Sequence, residues 1–138
     1  NIFNINITNN NNSDIYRNIA FKYYEWSADQ ENSNSQRIVG DYYYYEWINL
    51  TNINISMKNA ADYYQKASDN YIKPNAQAMF NLGYMHQYGL GRKKDYDMAK
   101  RYYDLSKQNL KNAKIPAYIM LTHLYITNFL QNNIKYKN

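Results

Sequence analysis

Residues 75–106, NAQAMFNLGYMHQYGLGRKKDYDMAKRYYDLS, carry two helical patterns separated by a pair of glycines. Met79, Phe80, Leu82, Tyr84 and Met85 recur at helical spacing, and Pro74 just before them suits a first turn but cannot continue an earlier helix. A helix of about three turns is therefore expected to start near Asn75. Gly83 inside it costs about 1 kcal/mol against alanine, a cost that makes sense where another helix crosses too closely for a Cβ. Gly89 and Gly91 can take the positive φ needed to stop the helix and turn the chain, and Asp95 is the expected N-cap of a second helix. Asp97 near the start of that helix and Lys107 near its end complement its dipole. On it, Ala99, Tyr102, Tyr103 and Ser106 form a small-large-large-small stripe suited to interlocking with a neighbouring helix pair.

The stripe recurs upstream. Ala60, Tyr63, Tyr64 and Ala67 repeat its spacing 39 residues earlier, and Ala20, Tyr23, Tyr24 and Ser27 repeat it 40 residues earlier again. A period near 40 predicts stacked helical hairpins, an all-α solenoid of about six helices. Gly40 takes the place of Gly83 in the earlier unit, on a first helix expected over residues 35–48. There the Gly-x-Gly turn gives way to Glu46, Trp47 and Ile48 and then an asparagine-rich stretch, Asn49 to Asn54, read as a longer irregular loop. Tyr42 to Tyr45 sweep most of a helical turn, so at least one ring is expected to face solvent, either as a plain surface tyrosine or as a partner-binding aromatic.

Leu82-Gly83, Gly89-Leu90-Gly91, Asp95, Ala99 and Tyr102-Tyr103 resemble the Sel-1-like repeat, a tetratricopeptide-like unit of two antiparallel helices. The runs 75–86 and 99–104, with Gly40-Asp41-Tyr42 upstream and Ile115 to Tyr118 and Phe129 to Gln131 downstream, resemble more closely the C-terminal luminal repeats of the Sel-1-like, Hrd-type adaptors of endoplasmic-reticulum-associated degradation. This resemblance implies a non-enzymatic adaptor or scaffold. Its implied partners are a Hrd-type membrane ubiquitin ligase and luminal lectin or chaperone-like factors. Its implied place is the lumen of the endoplasmic reticulum, beside the membrane. A general Sel-1-like scaffold in signalling or transport is the alternative within the same class.

The expected organisation is an asparagine-rich segment over 1–12, loosely docked or disordered, a repeat array over 13–131, and a polar tail over 132–138. Ser13-Asp14 would cap the helix carrying Ala20, taken as the second helix of a repeat whose first helix lies outside this piece of chain. Two full repeats and the first helix of a further one would follow. Pro116 fits the first turn of that last helix, expected to be buried, which follows a linker over Lys111 to Lys114. The stretch 115–134 carries no charge but holds Thr122, His123, Thr127, Asn128, Gln131, Asn132 and Asn133, too polar for a comfortable membrane span. Its Tyr118, Leu121, Leu124, Tyr125, Phe129 and Leu130 are expected to meet a partner, because a solenoid end with an apolar face needs cover. Self-association, or cover by residues 132–138, is the competing expectation.

The 138 residues carry 18 Tyr against 4 Phe and 2 Trp, so rings are expected inside with hydroxyls reaching partners or the rim. With no cysteine, disulfides and thiolate zinc sites are excluded. Residues 1–70 hold 5 Lys+Arg and 8 Asp+Glu, net −3, whereas residues 71–138 hold 11 and 3, net +8. The basic cluster Arg92, Lys93, Lys94, Lys100 and Arg101 is expected to be an ordinary solvated face, so a change at Arg92 should leave the melting temperature nearly unchanged. A nucleic-acid or anionic-membrane binder is the alternative this cluster raises, weakened because the repeat register assigns Tyr102 and Tyr103 to packing. His86 and His123 have no serine, carboxylate or metal-ligand partner at a telling spacing, and His86 is read as a core or rim residue. No catalytic residue, cofactor or metal is expected. Asn-x-Ser/Thr sequons stand at Asn6, Asn11, Asn49 and Asn54, and the last two are expected to be accessible in the loop.

Overall fold

The computed structural model describes residues 12–48, 52–109 and 114–135. They form six helices: α1 (Asn12–Asp29), α2 (Ser33–Tyr44), α3 (Ile53–Ser68), α4 (Ala76–Tyr88), α5 (Tyr96–Asn109) and α6 (Lys114–Lys135), with no strand among the described residues. Each helix packs on its neighbours in the chain, most extensively α2 on α3 and α4 on α5. This zigzag sets α2, α4 and α6 in one layer and α1, α3 and α5 in the other. The apolar core is strung along the array in three clusters: Phe21, Ala28, Val39 and Tyr42; Tyr64, Leu82, Met85 and Tyr102 among others; and Ala99, Tyr103, Leu121 and Leu124.

Short polar side chains start the helices. Asn32, Asn52 and Asn75 cap α2, α3 and α4, accepting at Oδ1 from Ser35 N (3.0 Å), Asn54 N (3.0 Å) and Ala78 N (3.0 Å), and Asp95 accepts from Met98 N (2.9 Å) at the head of α5. Part of the asparagine richness is thus helix punctuation, satisfying amides the helix leaves unpaired. Gly89 (φ 72°) and Gly91 (φ 59°) turn α4 into α5. A Cβ on Gly91 would run into the Met57 carbonyl of α3, so this turn also packs against the preceding hairpin.

Several boundaries differ from expectation. The helix α1 already includes Ser13 and Asp14, so they do not cap it; Asp14 instead pairs with Arg17 across one turn (3.0 Å), both exposed. The helix α2 ends at Tyr44, and Glu46 takes the left-handed position (φ 52°) that Gly89 occupies in the next hairpin. Asn54 lies in the first turn of α3, because Asn52 captures the amides that start it; residues 49–51, with the rest of the expected loop and the Asn49 sequon, lie outside the described residues. So do residues 1–11, the sequons at Asn6 and Asn11, and most of the linker before α6. Residues 132–135, placed in the tail, continue α6.

Candidate protein-interaction surface

Each hairpin is locked by one glycine and one tyrosine. A Cβ on Gly83 would lie 2.7 Å from the Tyr103 ring and 3.2 Å from the Ala99 carbonyl; on Gly40 it would lie 2.6 Å from the Tyr64 ring. The helices thus cross where no side chain fits between them, and the two buried rings fill the crossings. Their hydroxyls are satisfied. Tyr64 donates to Asp41 (2.8 Å), which also pairs with Arg37, and Tyr103 donates to Gln87 Oε1 (2.7 Å). Burial pushes both phenols well above their ordinary range, and burial likewise raises the Asp41 carboxyl against the lowering pull of Tyr64 and Arg37. Because Gln87 Oε1 accepts from Tyr103, its Nε2 donates to His123 Nδ1 (2.9 Å), which leaves the ring proton of His123 on Nε2.

Tyr63 and Tyr102, one position before these rings, turn to the preceding hairpin. Tyr102 donates to Gln65 on α3 (2.9 Å) and stacks on His86, while Tyr63 stacks on Tyr43 and packs against the α1–α2 cluster. Ala60, Ala67, Leu82 and Ala99 are fully buried beside them. The corresponding stripe on α1 is different: Ala20 and Tyr24 are half-buried and Tyr23 is 56% exposed, because among the described residues no earlier hairpin lies against that face. Phe21 and Ala28 carry the packing of α1 instead. His86 donates from Nδ1 to the Lys93 carbonyl (3.3 Å), a structural role, and among the described residues no three His, Cys, Asp or Glu side chains gather as a metal site. Tyr45 is the most exposed of the four successive tyrosines and Tyr42 the most buried. Arg92 is not a freely solvated charge: it pairs with Asp62 of α3 (2.7 Å), tying the turn to the preceding hairpin.

The last helix divides the expected partner residues. Leu121 and Leu124 are buried against Ala99 and Tyr103 of α5, and Ala117, one turn earlier on the same face, is buried too, so Leu121 and Leu124 belong to the core and not to a contact surface. Their i, i+4, i+7 spacing is the stripe of a helix packed on one side. Tyr118, Tyr125, Phe129 and Leu130, with Ile119, Ile126 and Ile134, stay exposed, Phe129 at 67%, so this helix is not the buried one expected. Tyr118 carries the Lys107 ammonium over its ring (4.8 Å), and Tyr125 meets Tyr96 edge to face. No described helix is long and apolar enough to cross a membrane.

Two gaps open between helices of the α2, α4 and α6 layer. One, of about 310 Å³, is lined by Tyr44, Tyr45, Tyr64, Phe80, Asn81 and Tyr84; the other, of about 220 Å³, lies between α4 and α6 beside Lys94 and His123. The sequence reading missed both, since each gathers residues from hairpins far apart in the chain.

The Sel1 family, described as Sel1 repeat, matches residues 33–71 and 76–109, which contain the α2–α3 and α4–α5 hairpins. The chain is 37% identical over 106 residues to "Protein sel-1 homolog 2" of Rattus norvegicus, covering 77% of this chain and 14% of that protein. It is 39% identical over 102 residues to "ERAD-associated E3 ubiquitin-protein ligase component HRD3A" of Arabidopsis thaliana, covering 73% and 14%. It therefore spans only a small part of the length of these curated relatives. Among solved structures, a Sel1 repeat protein from Oxalobacter formigenes is similar with a TM-score of 0.64 at 25% identity, over 78% of this chain and 40% of that one. With its two hairpins matched in register, the chain belongs to the Sel1 repeat family.

Proposed function

We propose that this chain is a non-enzymatic adaptor segment of the ER-associated degradation machinery, whose exposed α6 face docks a protein partner, a Hrd-type membrane ubiquitin ligase. The observation that carries the reading is the strip Tyr118, Tyr125, Ile126, Phe129 and Leu130, at least half exposed along one side of a helix whose other side is packed into the array. Large apolar side chains held in such a strip gain free energy on being covered, about 25 cal/mol per Å² buried. Relatives whose names make them ligase components support the identity of the partner. In this reading the repeat array of residues 13–131 works in the lumen of the endoplasmic reticulum, membrane-associated through the full-length protein, with luminal recognition factors as further partners. The basic surface gives less support to nucleic-acid binding, because Tyr102 and Tyr103 are buried and Arg92 is engaged by Asp62.

The test is a pull-down of the chain against the luminal loops of the Hrd-type ligase from the same cell. Phe129→Asp and Ile126→Asp are expected to abolish capture while circular dichroism stays helical, whereas Leu124→Asp is expected to lose the fold by placing a charge in the core. Failure of the folded wild-type chain to bind would remove the ligase contact from this helix and favour the general scaffold.

A further inference from the structure

The gaps on either side of α4 are chemically unlike, and they adjoin through a pair of tyrosines. Tyr84 lines the α2/α4 gap and Tyr88 the α4/α6 gap; one turn apart on α4, their ring centroids lie 4.5 Å from each other. The first gap is walled by aromatic rings, with Asn81 the only amide, and at about 310 Å³ it exceeds the apolar cavity of about 150 Å³ that suffices for benzene. The second is polar. Lys94 is the only ionised side chain among the residues lining it, and Thr127, Asn128 and Gln131 add hydrogen-bonding groups. His123 is fixed as well: the buried Tyr103–Gln87 relay holds its Nδ1 as an acceptor, so the nitrogen left to offer is Nε2–H, a donor. A lysine and an oriented donor without a lining carboxylate suit a carboxylate ligand, and the net +8 of residues 71–138 draws anions toward this half of the chain.

We propose that the two gaps form one bipartite groove for an extended acidic peptide, which places an apolar side chain among Tyr44, Tyr45, Phe80 and Tyr84 and a carboxylate on Lys94 and His123. A small anion would leave the aromatic half empty, and a purely apolar segment would leave Lys94 unpaired; the pair of surfaces selects a ligand carrying both. The gaps lie on either side of α4, so the span between them is of the order of one helix diameter, roughly 10 Å, a distance that three residues of extended chain at about 3.3 Å each cover. The recognised pattern is therefore an aromatic or aliphatic residue and an aspartate or glutamate three positions apart. This inference rests on the reading of the chain as a protein-binding scaffold, but it concerns a surface other than the exposed face of α6.

The test is fluorescence anisotropy of the chain with labelled Gly/Ser nonapeptides carrying Phe and Asp three positions apart, one in each order. One order is expected to bind, and to lose affinity about tenfold when Asp is replaced by Asn, when Phe is replaced by Ala, or when the two are made adjacent. Lys94→Glu and Tyr45→Ala, both at exposed positions, should weaken it as strongly while the protein keeps its helicity, and Lys94→Glu should instead improve a peptide carrying Lys in place of Asp. Equal binding of the Asp and Lys peptides, indifference to Lys94→Glu, or no binding of either order by folded chain would overturn the proposal. Loss of peptide binding in Phe129→Asp but not in Lys94→Glu would do so too, by moving the peptide to α6. Peptide failure with ligase capture intact would refute the groove alone, and the reverse would refute the α6 contact alone.

Discussion

Gly83→Ala adds one methyl group, and the structure sets its cost. The new carbon would sit 2.7 Å from two Tyr103 ring atoms and 3.2 Å from the Ala99 carbonyl. Neither neighbour can yield easily, because Tyr103 has no solvent exposure and its hydroxyl is held by Gln87 at 2.7 Å. Overpacking costs about 1–3 kcal/mol, and with neither neighbour free to yield the upper part of that range, about 2–3 kcal/mol, applies, against about 1 kcal/mol returned by replacing a mid-helix glycine with alanine. The expected net loss is about 1–2 kcal/mol, a fall in melting temperature of roughly 3–10 °C for a chain of this size. Urea and thermal denaturation followed by far-ultraviolet circular dichroism would measure it. A double-mutant cycle with Tyr103→Ala isolates the cause: once the ring is gone, the alanine should no longer cost anything and its helix propensity should show as a gain. A Gly83→Ala protein as stable as the parent, or an equal penalty with and without the Tyr103 ring, would refute the argument that this glycine exists to admit the ring.

Arg92→Glu sets a carboxylate opposite Asp62, and since Asp62 is about half exposed the expected loss is about 0.5–1 kcal/mol, shrinking in molar salt; an unchanged midpoint at low salt would return Arg92 to the solvated face the sequence suggested. Tyr64 and Tyr103 have phenol pKa values raised in the fold, so above about pH 10 the unfolded chain releases protons that the folded chain keeps. Their contribution is therefore complete below pH 10 and declines as pH rises, by up to about 1.4 kcal/mol per pH unit per tyrosine. Tyr103→Phe should make the decline of the urea midpoint above pH 10 less steep by one such group, and parallel slopes for variant and parent would count against this account.

Much of the fold was legible because its determinants are local or periodic. Gly83 and Tyr103, Gly40 and Tyr64, the turn glycines and the Asp95 cap each leave a mark at a predictable distance along the chain, since a hairpin of two helices is built from contacts within about 35 residues. The repeat period also foretold which alanines and tyrosines would be buried, until α1, where Tyr23 has the right spacing but no described hairpin to meet. Spacing names a face; only packing says whether something covers it. The same limit governs α6, where the residues named for a partner mixed two faces, and the Ala117, Leu121, Leu124 stripe could have separated core from surface had the helical period been read there as strictly as in α5.

The hairpin unit, its repetition and the family follow from short-range spacing and from glycines and caps that only certain residues can supply, so they are written along the chain. The Arg92–Asp62 tie, the Tyr103–Gln87–His123 relay and the two gaps beside α4 arise only from how the hairpins stack. Each brings together side chains from different hairpins, 36 residues apart between Gln87 and His123 in the relay and 30 in the ion pair, and the angle and rise at which one hairpin stacks on the next have no signature in either hairpin's own residues.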